Sequence, residues 1–400
     1  MTTSDTILTT EAPSLAPLYI ANMVGGAGMM GFVATAGPLA ALLELEAWQI
    51  GLSATAGGLG WMLSARHWGA AADRIGRKRT LVIGIISFMA AYFLLSLAAQ
   101  AGAEWGLAPM LALAGLVITR FGMGLGYSAV PAAGGALIAD HYPPQARAGA
   151  MGRLGAAQAS GLLIGPAIVA LLAGPSPTMV LFLLAALPAP VLAFVILTLP
   201  SDPARGDGPT PPLPLSDKRL IRPMSSAVAA MVAVGTAQIV IGFIALERFG
   251  LSSEEALRTA GIALAGVGVA LIFAQLVIKR LGWTPGALMR VGGVLSAVGF
   301  TAAALAPDPL ILIASYAFAG FGAGWVFPSI SAAAANAVGE DEQGRAAGAV
   351  SVGFGLGAMV GPLLGGALYS LAPATPLFVG AAAMLTISAL AIGGGERLKA

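Results

Sequence analysis

The chain has 400 residues and a formal net charge of +2, and 58% of it is hydrophobic while 10% is charged. An ordinary globular domain carries about 25% charged residues, so this chain could not cover its own surface in water. That excludes a soluble domain and points to lipid as the solvent. With no cysteine, disulfides, thiolate metal sites and a cysteine nucleophile are excluded as well.

The first seventeen residues hold no Lys or Arg, so a cleavable signal peptide with a basic start is not expected. Apolar stretches then predict twelve membrane-spanning helices at 17–43, 49–71, 80–101, 107–138, 149–173, 178–199, 223–246, 258–278, 286–306, 309–338, 346–370 and 375–394. Each is about long enough to cross a hydrocarbon core. The expected fold is therefore all-α and membrane-embedded. Span 1 carries Asn22, three methionines (Met23, Met29, Met30) and, at its outer end, Glu44 and Glu46. Span 2 carries Arg66 and His67 in its inner part, and span 4 carries Arg120 and Tyr127. Gln158, Gln238, Gln275 and Trp325 are the remaining notable polar or amphipathic residues within spans.

The basic residues set an orientation. With the N-terminus placed inside, sixteen of the twenty Lys and Arg fall in inner segments; Arg248 and Arg258 lie outside, and Arg66 and Arg120 lie within spans. This positive-inside bias predicts cytoplasmic termini. It also accounts for the basic excess, so nucleic acid is not an expected partner.

The longest polar break, 200–222, is Pro-rich, charged and mid-chain. It is expected to link a first half, 1–199, to a second half, 223–400. The halves resemble each other. A shift of 196 residues carries Gly152, Gly161, Gly165 and Pro166 onto Gly348, Gly357, Gly361 and Pro362, and Asp140 onto Asn336. A shift of 206 carries Gly60, Arg74 and Gly76 onto Gly266, Arg280 and Gly282. Repeated halves are a signature of secondary transporters.

Between spans 2 and 3 the sequence has Gly60, then Gly69, then Asp73-Arg74-Ile75-Gly76-Arg77-Lys78-Arg79. This is a glycine turn at the inner surface, with a carboxylate at the membrane edge and cations around it. The spacing resembles the loop signature of the major facilitator superfamily, with every defining position filled. The counterpart in the second half departs from it, having Lys279 for Asp73 and Gln275 for Gly69. In span 4, Arg120-Phe121-Gly122-Met123-Gly124-Leu125-Gly126 resembles the superfamily's second motif, whose buried arginine is associated with proton coupling. The Gly-Pro elements at Gly161, Gly165 and Pro166 and at Gly357, Gly361 and Pro362 resemble the motif of its antiporters and exporters. The second copy is complete through Gly365-Gly366; the first ends in Val169-Ala170.

The resemblance covers the whole chain and implies twelve helices in two pseudo-symmetric six-helix halves, with spans 1, 4, 7 and 10 around a substrate path. It nominates Asn22, Arg120, Tyr127, Gln238 and Trp325 as path residues and Arg120 as a proton-coupling residue. His67, since histidine as a residue type titrates in the physiological range, and Glu44, at the outer end of span 1, are the further proton-coupling candidates read from the sequence itself. It implies that Asp73 contacts the start of span 11, near Arg345, with Glu340, Asp341 and Glu342 within reach of Arg77 and Lys78. The branch resembled is that of drug:proton antiporters. The function implied is proton-driven export of a small apolar or amphipathic solute, with proton-coupled uptake of a small solute, an anion held by Arg120 among the candidates, as the alternative. A monomer in a bacterial inner membrane, with no metal and no cofactor, is expected. One departure stands out: all eighteen acidic residues lie at span ends or between spans, where many such exporters carry a carboxylate in mid-span 1. An intramembrane enzyme lacks the converging titratable groups it would need.

Overall fold

The computed structural model describes residues 14–142, 144–174, 176–199, 217–339 and 342–392. These residues form twelve helices, of which all but α2 and α12 are long and apolar enough to cross a membrane: α1 Ala16–Leu42, α2 Ala47–Ile75, α3 Arg77–Glu104, α4 Pro109–His141, α5 Pro144–Leu172, α6 Pro177–Thr198, α7 Lys218–Arg248, α8 Ser253–Leu281, α9 Pro285–Ala304, α10 Pro309–Asn336, α11 Gln343–Leu371 and α12 Thr375–Ile392. α7 begins at Lys218, capped by Asp217, five residues inside the stretch expected to be linker. Residues 201–216 lie outside the described residues.

Local sequence explains the starts and interruptions. Proline occupies the first turn of α1, α4, α6, α9 and α10, where its missing N–H costs nothing. Inside a helix the same residue breaks the ladder. Pro131 cannot donate to the Tyr127 carbonyl, and the helix of α4 is interrupted at Ser128. α6 is interrupted at Leu187, ahead of Pro188. Gly76 and Gly282 occupy matching turns in the two halves, with φ of 92° and 60°. Both values favour glycine.

The halves repeat one packing plan. In the first, α1 packs on α5, and α4 packs on α2 and α3; in the second, α7 packs on α11, and α10 packs on α8 and α9. Between halves, α2 meets α11, α5 meets α8 and α1 meets α7. α1 and α7 are therefore central, with 72% and 67% of their apolar windows buried, against 28% for α5 and for α11. One apolar cluster runs through both halves. The periphery exposes Ile118, Leu197 and Leu310, as expected of a surface solvated by lipid.

Candidate functional site

The contact between halves is one-sided. On the side away from the linker (the far side), Gly37 of α1 lies against the Gly242–Phe243 backbone of α7. Gly51 of α2 lies against the Pro362 carbonyl of α11, and Gly366 of α11 against Ala47 and Trp48 of α2. Farther in, the Thr55 hydroxyl donates to the Met359 carbonyl at 2.6 Å. Across the pseudo-symmetric pair, a Cβ on Gly261 of α8 would sit 2.6 Å from the Pro166 carbonyl of α5. Toward the linker side these contacts end. Gly69 of α2, Gly149, Gly152 and Gly155 of α5, and Gly348 and Gly355 of α11 would each meet nothing within 4 Å. The halves are sealed at the far side and splayed at the linker side.

The Gly-Pro elements supply much of that seal. Gly161 and Gly165 press α5 onto the Met23 and Ala27 backbone of α1, while Gly357 and Gly361 press α11 onto Val228, Met231 and Gly235 of α7. The glycines act within each half. The carbonyl beside each proline reaches across to the other half, at Gly261 and at Gly51.

Arg120 adjoins Gly57 of α2, two residues from Thr55. It is 2% exposed. Its Nη1 points at the sulfurs of Met29 (3.5 Å) and Met123 (4.0 Å). The guanidinium carbon lies 4.3 Å from the centre of the Phe32 ring. Nε has no acceptor, and no carboxylate is paired with the group among the described residues. A charge in a span costs at least about 2.5 kcal/mol, and sulfur and ring contacts offset only part of that. Gly57 of α2 adjoins the side chain: a Cβ there would lie 3.2 Å from Nη2. Tyr316, the counterpart of Arg120 in the second half, is neutral and satisfied, its hydroxyl donating to the Ala237 carbonyl at 2.6 Å. Met29 stands out in the sequence. Phe32, Met123 and Gly57 as parts of the cage do not; the available signal is only their shared depth with Arg120 in neighbouring spans.

The other expected path residues divide. Asn22 is fully buried, donating from Nδ2 to the Leu154 carbonyl of α5 at 2.9 Å. The Tyr127 hydroxyl donates to the Asn22 carbonyl at 2.9 Å. In this conformation both fasten α1 to α4 and α5 and do not face open space. Trp325 is buried within the second half, its indole N–H donating to the Ala274 carbonyl of α8 at 3.2 Å, with its ring against Trp283 and Phe321. Gln238 is half-buried, and no hydrogen bond holds its amide among the described residues. His67 is exposed near the linker-side end of α2, hydrogen-bonded to the Leu63 carbonyl. Glu44 is exposed in the far-side turn, at a φ of 55°. The structure does not bring His67 and Glu44 together with Arg120.

At the linker side the loop motif builds a charged node. Arg77 is buried; its Nη2 lies 3.0 Å from Asp73 and its Nε 2.9 Å from Asp140 of α4, an ion pair too bent for a hydrogen bond. Its Nη1 donates to the Ala72 carbonyl at 2.9 Å. Gly60 packs on the Phe121 carbonyl of α4, which brings α2 and α4 close enough for the node. Arg74 is exposed and Lys78 half-buried. In this conformation the described residues do not form the expected bridge to the start of α11. Asp73 and Arg77 are joined to each other and to α4, and Glu342 is paired with Arg219 of α7 at 2.7 Å. The splay of the halves separates the two groups. Glu340, Asp341 and the side chain of Arg345 lie outside the described residues. Asp140 is a partner that sequence spacing did not single out. A buried arginine beside one acid at the membrane edge was the available hint.

Comparison with known proteins agrees with this architecture. The family model described as Major Facilitator Superfamily matches residues 18–293 and 227–394, nearly the whole chain. The chain belongs to the major facilitator superfamily. It is a multi-pass membrane transporter by family and fold. Among solved structures, a D-xylose–proton symporter has a TM-score of 0.73 at 15% identity, covering 94% of this chain and 96% of that one. A bacterial homolog of the human lysosomal transporter Spinster, in an inward-facing and occupied conformation, has a TM-score of 0.71 at 16% identity, covering 94% and 93%. The nucleoside transporter NupG gives 0.69 at 14%, covering 94% and 96%. At these identities the likeness is one of fold.

Proposed function

We propose that this chain exports a small apolar or amphipathic solute in exchange for protons, by alternating access between its two halves. The observation that carries the proposal is the one-sided seal: halves touching through Gly37, Gly51, Gly261 and Gly366 at the far side and parted at the linker side. Two bodies, 1–199 and 223–400, hinged through the 200–222 linker, would expose a central path to each side in turn. The positive-inside bias makes the linker side the cytoplasm, so the path opens to the cytoplasm here, where an exporter loads. The Gly-Pro elements that form the seal are those resembling the exporter motif. Arg120, His67 and Glu44 remain the proton-coupling candidates, at mid-depth, at the cytoplasmic mouth and at the outer turn. The protein is proposed to act as a monomer in a bacterial inner membrane.

Uptake of a small anion is a second possibility, favoured by the unpaired charge of Arg120. Transport into inside-out vesicles with an imposed pH gradient, using a panel of dyes, antibiotics and siderophores, decides the direction. Gradient-dependent accumulation in those vesicles supports export. Accumulation only by right-side-out cells overturns it.

A further inference from the structure

We infer that the transported solute carries an oxyanionic head, a carboxylate or phosphate monoester, on an apolar body, and that the head binds Arg120. The inference rests on the transporter reading and adds the chemical class of its substrate.

Three observations converge on Arg120. First, the guanidinium is almost fully buried, yet its Nε, one end of the Nε–Nη2 edge, meets no acceptor among the described residues. That edge is the fork an oxyanion engages with two parallel hydrogen bonds. Second, the protein supplies no counter-charge of its own at this depth, because all eighteen acidic residues lie at span ends or between spans. Third, the contacts the side chain does make are soft. Met29 and Met123 sulfurs take Nη1, and the Phe32 ring lies over the plane. Such a cage holds the guanidinium in place without neutralising it. Gly57 lies against the Nη2 side, where a side chain would crowd the edge.

The position suits a loading site. Arg120 adjoins Gly57, two residues along α2 from the Thr55 that bonds Met359 of α11. The half-exposed side chains nearby, Trp61 on α2 and Met359 on α11, are apolar or amphipathic, which suits the body of the ligand. In the second half Tyr316, bonded to Ala237, offers no equivalent, so one head group is bound per chain.

The test is calorimetric titration of the full chain in lipid nanodiscs with four probes sharing one apolar body: phenylbutyrate, phenylpropyl phosphate, phenylbutanol and phenylbutylammonium. The first two are expected to bind saturably, and the neutral and cationic probes at least about tenfold more weakly. Arg120→Gln is expected to remove that preference, and Arg120→Lys to restore part of it, since an ammonium keeps the charge but loses the fork. If phenylbutanol or phenylbutylammonium binds the parent as well as the anions do, the inference is overturned. That comparison needs no variant, so it stands even if Arg120→Gln fails to fold. Unchanged anion affinity in a folded Arg120→Gln chain overturns it as well. Vesicle transport of the panel separates this failure from that of the transporter reading: transport without anion preference sinks the site alone, and anion preference without transport sinks the reading.

Discussion

Gly37 of α1 and Gly242 of α7 meet backbone against backbone at the far side: a Cβ on Gly37 would overlap the Gly242 backbone, and one on Gly242 would lie 3.0 Å from the Gly37 nitrogen. The contact exists only while the halves are closed at that end. Gly37→Val is therefore expected to destabilise the cytoplasm-open state without unfolding either half. Overpacking of this kind costs about 1–3 kcal/mol, which converts to roughly a fivefold to 150-fold shift in the ratio of the two states. Spin labels at Glu44 and Gly250 would read it. Longer far-side distances are expected in the variant, and an unchanged distribution would show that the contact does not gate.

The topology follows from the alternation of twelve spans and the basic excess at one side. A cysteine introduced at Ser216, in the linker outside the described residues, is expected to label from the cytoplasm. One at Ser252, which caps α8 on the opposite side, is expected to label from outside. The cysteine-free chain makes both experiments clean. Labelling of both positions from the same side would rule out the single span, α7, between them and the orientation with it.

Much of the fold was legible because lipid imposes a strong pattern. Twelve apolar runs had to be helices, and the two glycine offsets revealed the repeat. The Gly-Pro elements were visible too, but not their division of labour between glycines that pack within a half and a carbonyl that reaches across. The site was less legible for a physical reason. Asn22, Tyr127 and Trp325 are polar residues in spans, and a polar atom in lipid must find a partner. A carbonyl on a neighbouring helix satisfies that need as well as a substrate does, and only three-dimensional placement shows which one is present. Arg120 was conspicuous as a charge; that no carboxylate pairs with it among the described residues could not be read from its spacing.

The Tyr127–Asn22–Leu154 chain should behave as a structural fastener. Tyr127→Phe deletes one buried hydrogen bond and keeps the ring, which packs edge-on against Trp61 at 4.9 Å. A loss of about 1 kcal/mol is expected, seen as a modest drop in thermal stability with substrate affinity unchanged. Asn22→Ala should cost more, because it also leaves the Leu154 carbonyl without its donor. A large fall in affinity with stability preserved would instead return both residues to the path.

The charged node at the cytoplasmic surface makes a graded prediction. Arg77 is buried between two carboxylates, so the three substitutions are not equivalent. Arg77→Gln leaves Asp73 and Asp140 facing each other without a cation, and breaking a buried pair in this way costs about 3–5 kcal/mol. Asp140→Asn removes the carboxylate that ties the α2–α3 turn to α4, leaving Arg77 with Asp73 in its own loop. Asp73→Asn removes the more exposed partner, 35% accessible against 21% for Asp140, and solvent replaces part of what is lost. The expected order of destabilisation is Arg77→Gln, then Asp140→Asn, then Asp73→Asn. Asp73 has a second role to test. If it meets the start of α11 when the cytoplasmic side closes, Asp73→Asn removes a contact from the closed state and leaves the open state nearly intact. The N-terminus of α11 would favour a carboxylate there by about 0.3–1 kcal/mol, so the population should move further toward cytoplasm-open and turnover should slow. Distances between labels at the cytoplasmic ends of α2 and α11 measure the population, and thermal unfolding measures the node. Asp73→Asn matching the parent in distance while falling below Asp140→Asn in stability would make Asp73 a structural member of the node and no latch.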